Sequence, residues 1–313
     1  MTAAELDVPA QSRAALDMMA LSPAAGVGQR DVMQIRAELH AGALANQSPE
    51  PRDDGVRTGD EAVSDTCWVR VFEPPERSAG APVLFLHGGG WTICDVETHH
   101  ELAAQLAGDT GRLIASVEYR LAPEHPFPAP LDDCRDAARW LAARTGETGD
   151  SGIVVVGDSS GGNLAAGLAL AAVSDETLPR IILQVLLYPV LDDDFTTGSY
   201  RTRADGRFGL SEAQMRWYWD AYAPTEDARR DPLAAPGKAA DLRGVAPAFI
   251  GVGDLDPLLD EARSYAARLA EHGVPVESHV YRGGFHGFHS FRGVLDLAAE
   301  AAADVARAIG GST

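Results

Sequence analysis

The stretch VVVGDSSGGN at residues 154–163 joins an apolar run to a turn with two serines and three glycines. One glycine is enough for an ordinary tight turn, so the excess needs a reason. The turn fits G-x-S-x-G around Ser159, after a predicted strand and at the head of a predicted helix. In such a nucleophile elbow, side chains two residues before and after the strained serine would collide. Ser160 fails this test because Asp158 lies two residues before it, so Ser159 is the predicted nucleophile.

A glycine-rich turn between a strand and a helix could also bind phosphate. The chain has no G-x-G-x-x-G and no G-K-[ST], and GVGDLD at residues 251–256 lacks the third glycine of a dinucleotide loop. The start of the helix would also place the Ser160 N–H where it could stabilise developing negative charge. The turn therefore favours nucleophilic catalysis over phosphate binding.

A second glycine cluster ends the predicted strand in VLFLHGGGW, residues 83–91. His87 is followed there by three glycines, which let backbone N–H groups approach a substrate oxygen without steric hindrance. A flexible turn is the alternative, but one or two glycines would suffice for it. The pattern predicts an oxyanion-hole loop of the HGGG type, with His87 and Gly88 as supporting residues.

An acid and a base follow the serine in the order serine, aspartate, histidine. Asp256 begins DPLLDEA after one predicted strand, and His286 lies in GGFHGF after the next. Segments that leave the carboxyl ends of parallel strands converge on one edge of the sheet, which can bring these residues together. Asp254 follows its strand immediately and is a geometric rival, while Asp260 falls inside the following helix.

Composition limits the class of protein. The 313 residues are 45% hydrophobic and 23% charged, which predicts a globular protein of one domain with a small accessory region. A net charge of −20 argues against nucleic acid and anionic membranes as partners. His99 and His100 do not form H-E-x-x-H, so no metal site is expected.

Cysteine usage and the N-terminal sequence predict a cytoplasmic location. Cys67, Cys94 and Cys134 are widely spaced and odd in number, which fits a reducing compartment better than a disulfide framework. The N-terminus shows no basic region followed by an apolar one, and no run of about 18 apolar residues occurs. One lysine against 25 arginines, with abundant alanine, predicts a GC-rich bacterial genome.

From about residue 66 onward, short apolar runs alternate with longer segments of helical spacing, which predicts an α/β fold with a mainly parallel sheet. The predicted strands are Trp68–Phe72, Val83–His87, Leu113–Val117, Ile153–Val156, Ile181–Leu187, Ala248–Val252 and Val276–Tyr281. The predicted helices are Glu97–Gly108, Pro130–Ala143, Ser160–Val173, Leu258–His272 and Val294–Ile309.

Two regions break this alternation. The N-terminal part has predicted helices at Arg13–Leu21 and Arg30–His40, before the polar stretch Asn46–Asp60. The segment Asp192–Pro236 contains a predicted capping box, formed by Ser211 and Gln214. Its residues Met215, Trp219 and Tyr222 recur at helical spacing. This stripe could face the core, which is the commoner case, or form a wall of a substrate pocket.

Together these residues resemble the hormone-sensitive-lipase-like esterases, the bacterial family IV esterases of the α/β-hydrolase fold. The resemblance covers roughly residues 60–310, with every block in family order. The blocks are HGGGW at 87–91, VEYRLAPEHPFPAPLDD at 117–133, GDSSGGN at 157–163, LLYPVLD at 186–192, DPL at 256–258 and FHGF at 285–288.

The resemblance implies a carboxylesterase that acts on small-molecule esters with short or medium acyl chains, without a cofactor. It implies a helical cap from the N-terminal segment 1–60 and an insertion at 192–236 after the sixth strand, on a catalytic domain at 61–313. Family members commonly form homodimers.

The resemblance also assigns the site residues. It implies the triad Ser159, Asp256 and His286, because the family's acid directly precedes Pro-Leu, where Pro257 would stiffen the loop. The implied oxyanion donors are the backbone N–H groups of Gly89, Gly90 and Ser160. Most relatives have alanine where this chain has Ser160, which matters little for a backbone donor. Asp158 joins His87 and Gly88 as a supporting residue, and Trp91, Trp219 and Met215 are the candidate pocket residues.

Two other functions remain open from the sequence. The same residues could hydrolyse an amide, an N-acyl group or an activated carbamate, and no motif separates these substrates. A non-catalytic binding protein could retain the fold, although all three triad candidates are present.

Overall fold

An eight-stranded sheet forms the centre of the chain, which the computed structural model describes at residues 6–46, 55–146 and 152–312. The strand order is β1-β2-β4-β3-β5-β6-β7-β8. β1 and β2 pair antiparallel with each other and β2 pairs antiparallel with β4, while the remaining pairs are parallel. The strands are β1 Arg57–Ala62, β2 Trp68–Glu73, β3 Val83–Leu86, β4 Ile114–Glu118, β5 Ile153–Asp158, β6 Ile181–Leu187, β7 Ala248–Gly253 and β8 Val276–Tyr281.

The central strands β3, β5 and β7 are buried along their whole length because they are covered on both faces. Every residue of β3, β5 and β7 is buried, as expected for parallel strands flanked by helices. All seven predicted strands are present, with ends within two residues of the predicted ones. The predicted α/β class with a mainly parallel sheet is therefore confirmed.

The edge strand β1 was not predicted. Its sequence RTGDEA has no apolar alternation, and five of its six residues are exposed. It pairs with β2 through backbone hydrogen bonds, from Arg57 opposite Glu73 to Ala62 opposite Trp68. The predicted domain boundary at residue 60 falls inside this strand, so the sheet begins before the boundary. Residues 1–5 and 47–54 of the predicted N-terminal cap segment lie outside the described residues.

Helices flank the sheet and fill the two regions that break the alternation. α3 packs against α10, and α4 packs against α5. In the described ranges, no helix is both long and apolar enough to cross a membrane. The α-helices are α1 Ala10–Met19, α2 Val32–Asn46, α3 His100–Thr110, α4 Ala129–Thr145, α5 Ser160–Ala171, α6 Gly198–Arg203, α7 Glu212–Tyr222, α8 Glu226–Arg230, α9 Leu259–Glu271 and α10 Asp296–Gly310.

The insertion between β6 and β7 contains α6, α7 and α8. The predicted capping box begins α7: Gln214 N donates to Ser211 Oγ at 3.2 Å, and Ser211 N donates to Gln214 Oε1 at 2.9 Å. The N-terminal segment is fastened by Arg36 of α2, which donates to the carbonyl oxygens of Thr92 at 2.6 Å and Ala122 at 2.8 Å. The N-terminal segment is thus joined to the body of the chain by specific hydrogen bonds, and α7 is capped within the insertion.

Candidate active site

The predicted nucleophile Ser159 lies at the sharp turn from β5 into α5. Its backbone has φ +53° and ψ −117°, a left-handed conformation that is strained for any residue except glycine. The glycines on either side are sterically required. A Cβ at Gly157 would lie 2.1 Å from the Gly161 carbonyl oxygen, and one at Gly161 would lie 1.9 Å from the Leu86 carbonyl oxygen. The steric argument from the sequence therefore holds in the folded chain.

The structure brings Ser159, His286 and Asp256 into one hydrogen-bonded series. Ser159 Oγ lies 2.9 Å from His286 Nε2, and His286 Nδ1 lies 3.0 Å from Asp256 Oδ2. Asp256 is fully buried, and its Oδ1 also accepts a hydrogen bond from Leu258 N at 2.9 Å. Ser159 is 8% exposed, so its hydroxyl lies at a nearly enclosed site.

The two rival aspartates make other contacts. Asp254 Oδ1 accepts a hydrogen bond from Gly283 N at 2.7 Å, which links the turn after β7 to the turn after β8. Asp260 Oδ2 accepts one from Ser199 N at 2.8 Å, at the start of α6. Asp256 is thus the aspartate of these three that lies next to His286.

The predicted oxyanion loop lies beside the elbow. Gly88 N donates to Asp158 Oδ1 at 2.9 Å, which joins the loop to the residue before Ser159. Gly89 and Gly90 have φ of +115° and +59°, which glycine adopts without strain. Within the described residues, the N–H groups of Gly89, Gly90 and Ser160 donate no hydrogen bond. Three backbone donors are therefore available at the start of α5 and in the adjacent loop.

His87 packs beneath the glycine loop and contacts its backbone. It is fully buried, its ring stacks on Tyr119 with 4.2 Å between centroids, and the Tyr119 hydroxyl donates to the His87 carbonyl oxygen at 2.7 Å. Its Nδ1 lies 2.8 Å from the Gly88 carbonyl oxygen. Burial lowers the pKa of His87 to about 4, so the imidazole is neutral at pH 7 and can donate from Nδ1.

Asp158 has an ionic partner that the sequence did not indicate. His99 Nε2 lies 3.5 Å from Asp158 Oδ1, and both side chains are largely buried. Burial opposes the charged form of each, but their attraction prevails: it raises the pKa of His99 and lowers the pKa of Asp158. The carboxylate that holds Gly88 therefore lies beside a buried histidine, and each of the two groups favours the charged form of the other. The sequence signal of His99, a histidine at a helix start, was too general to indicate this.

The three candidate pocket residues lie in a closed cluster. Trp91 and Trp219 have no exposed surface, and Met215 is 1% exposed. The Trp91 ring stacks on Tyr222 with 4.1 Å between centroids and contacts Trp219 at 5.0 Å. This burial favours the alternative of core packing, and a pocket role for these side chains stays a prediction.

Two tyrosines near the site, Tyr188 and Tyr218, were not predicted from the sequence as site residues. Tyr188 follows β6 with φ +35°, and its ring meets that of His286 edge-on at 5.1 Å. Tyr218 of α7 covers the oxyanion loop, since a Cβ at Gly90 would lie 2.2 Å from its ring. The motif LLYPVLD contained Tyr188 without assigning it a role, and Tyr218 stood one residue from the aromatic stripe.

Known proteins resemble this chain along most of its length. A family model described as the α/β hydrolase fold matches residues 83–290. A carboxylesterase of Mycobacterium tuberculosis, NlhH, is 37% identical over 81% of this chain and 80% of its own. An ethyl acetate hydrolase of Pseudomonas putida is 35% identical over 90% of each chain.

A solved structure agrees with these matches. The hyperthermophilic esterase of the archaeon Pyrobaculum calidifontis superposes with a TM-score of 0.86 and 31% identity, over 97% of this chain and 98% of its own. Family model, relatives and superposition agree with the resemblance to hormone-sensitive-lipase-like esterases. The chain therefore belongs to the α/β-hydrolase family.

Proposed function

We propose that this protein hydrolyses carboxylic esters, with Ser159 as nucleophile, His286 as general base and Asp256 as the carboxylate that orients His286. The observation that carries the proposal is the hydrogen-bonded series from Ser159 Oγ through His286 to Asp256, with separations of 2.9 and 3.0 Å. The likeness to a carboxylesterase and an ethyl acetate hydrolase supports an ester as the substrate.

In the first half of the reaction, His286 Nε2 takes the proton of Ser159 as Oγ attacks the ester carbonyl. Asp256 accepts a hydrogen bond from Nδ1–H and stabilises the imidazolium that forms. The negative charge on the carbonyl oxygen is held by the backbone N–H groups of Gly89, Gly90 and Ser160, which have no other acceptor among the described residues.

In the second half, the alcohol leaves with the proton from His286 and an acyl-enzyme remains on Ser159. Water then enters, gives its proton to His286 and attacks the acyl carbon by the same route. The carboxylic acid is released and Ser159 recovers its hydroxyl hydrogen. Apart from the ester and water, the groups that act in these steps are Ser159, His286, Asp256 and the three backbone N–H groups.

Hydrolysis of p-nitrophenyl butyrate by purified protein tests the proposal. Ser159→Ala should reduce kcat to background, because Ser159 Oγ is the hydroxyl that lies within hydrogen-bond distance of His286 Nε2. Ser160→Ala is the matched control, and it should keep most of the activity because Ser160 contributes a backbone N–H. An inactive Ser160→Ala beside an active Ser159→Ala would place the nucleophile one residue later. A higher kcat/KM on the matched anilide would contradict the assignment to esters.

We further propose that the N-terminal segment 1–60 and the insertion 192–236 form a cap over a catalytic domain at 61–313. Arg36 bound to Thr92 and Tyr218 placed over Gly90 support this arrangement.

A homodimer rests on the family resemblance alone, and light scattering on the purified protein tests it. A cytoplasmic location is supported by three unpaired cysteines.

A further inference from the structure

A short helix of the insertion lies against the loop that carries Asp256. Ser199 of α6 is 1% exposed, and its Oγ donates to the Pro257 carbonyl oxygen at 2.6 Å. The same Oγ accepts a hydrogen bond from Asp260 N at 3.2 Å, and Ser199 N donates to Asp260 Oδ2 at 2.8 Å. One buried serine therefore binds the chain directly after Asp256 at three points.

The same helix also holds the chain before Asp256. Arg203 Nε donates to the Asp254 carbonyl oxygen at 2.7 Å. Asp254 in turn accepts from Gly283 N, on the segment that leads to His286. Ser199 and Arg203 thus fix the loop on both sides of the buried carboxylate.

The insertion reaches the histidine as well. His286 N donates to the Phe208 carbonyl oxygen at 3.1 Å. Phe208 lies between α6 and α7 and is buried. The insertion therefore contacts the loop that carries Asp256, which we call the acid loop, and it contacts His286. Through Tyr218 it also contacts the oxyanion loop.

We propose that Ser199 and Arg203 are positioning residues that hold the Asp256 carboxylate at the distance His286 requires. This inference rests on the proposed function, because it concerns the same triad. Asp256 reaches His286 from a loop, and a loop with free backbone groups has no single position. Triad geometry must be kept to a fraction of an ångström, and a displacement of about 1 Å can cost about 100-fold in rate. The insertion therefore completes the triad as well as covering it.

The first test compares two serine-to-alanine variants of the insertion on p-nitrophenyl butyrate. Ser199→Ala should lower kcat by about 10- to 100-fold with KM nearly unchanged, because it moves the triad and not the substrate contacts. Ser211→Ala is the matched control, since it breaks the capping box of α7 without touching the acid loop. Equal kcat in the two variants, with an active wild-type enzyme, would overturn the positioning role. An inactive wild-type enzyme would overturn the proposed function itself.

The second test asks whether Ser199 acts through Asp256. In an Asp256→Asn background, Ser199→Ala should cause little further loss, because the carboxylate that it positions is already gone. A merely structural role would lower activity by the same factor in both backgrounds, and that result would contradict the proposal.

A variant of Arg203 gives an independent test of the proposal if Ser199→Ala fails to fold. Arg203→Gln should lower kcat and leave KM nearly unchanged. Arg201→Gln on the same helix is its control, because Arg201 is exposed and donates to the Thr196 carbonyl oxygen instead. Equal kcat in these two variants would likewise refute the role of α6.

Discussion

Asp256 occupies the most restricted position of the proposed triad. Its carboxylate is fully buried and has two partners, Leu258 N and His286 Nδ1. A buried carboxylate with these contacts can orient the imidazole and stabilise its cation. An amide in the same place would present either a donor to the Nδ1–H group or a weaker, uncharged acceptor.

Asp256→Asn should therefore lower kcat by about 10⁴-fold, as loss of this carboxylate does in other triads. Asp254→Asn and Asp260→Asn are matched controls, because an asparagine oxygen can still accept from Gly283 N or Ser199 N. Both should lose far less activity. Steady-state kinetics on the three variants decides, and a near-normal Asp256→Asn beside an inactive Asp254→Asn would refute the assignment.

The placement of Ser159 and His286 was predictable from the sequence because each residue follows a strand that the apolar pattern identifies. The choice of Asp256 over Asp254, which follows the same strand, needed the family resemblance as well. The parallel sheet then brings the strand ends to one edge. Ser199 could not be found in this way. A serine in an irregular region carries no local signal, and its partner Pro257 lies 58 residues away in the chain.

At the scale of elements, the elbow requires close contact between β3 and α5. A Cβ at Gly161 would lie 1.9 Å from the backbone oxygen of Leu86, the last residue of β3. A backbone atom cannot rotate away as a side chain can, so the helix and the strand would have to separate. The position of the nucleophile therefore depends on this contact.

Gly161→Ala should abolish most activity and destabilise the fold by about 1–3 kcal/mol or more, because it overpacks a closed contact. Thermal unfolding and p-nitrophenyl butyrate hydrolysis measure the two effects. Gly42→Ala in α2 is the control: nothing lies within 4 Å of the added Cβ, and alanine favours a helix by up to about 1 kcal/mol. A stable, active Gly161→Ala would contradict the elbow geometry.

The elements that the sequence predicted best are those with strong apolar patterns. The strands β3, β5 and β7 are buried throughout, so their composition alone identifies them. β1 is the opposite case, since an exposed edge strand is held by backbone pairing that any polar sequence can provide. The helices of the insertion were predicted in part, because only α7 combines a capping box with an apolar stripe.

At the scale of the whole molecule, the exposed apolar side chains and the net charge indicate which acyl-chain lengths the protein can handle. The large exposed apolar side chains of the described residues lie at several places along the chain, on helices, on β8 and in turns, and single exposed apolar residues are normal. They are Met18, Leu21, Met33, Leu44, Val173, Val280 and Val294. With a net charge of −20, such a surface is poorly suited to a lipid interface.

The enzyme should therefore prefer short acyl chains, as the family resemblance also implies. On p-nitrophenyl esters of increasing length, kcat/KM should be higher for the C4 ester than for the C16 ester. Measurements below the solubility limit of the long ester, with and without detergent, separate chain preference from aggregation of the substrate. A higher kcat/KM on C16 would contradict this expectation.

The backbone of Ser159 has a consequence for how such a chain evolves. Its left-handed conformation costs of order 1–3 kcal/mol for a residue with a side chain, and glycine would adopt it freely. A lineage released from selection for hydrolysis would gain stability by replacing this serine with glycine. Folding stability thus favours glycine at position 159, whereas the reaction requires serine. Selection for the reaction therefore explains why the strained serine is present.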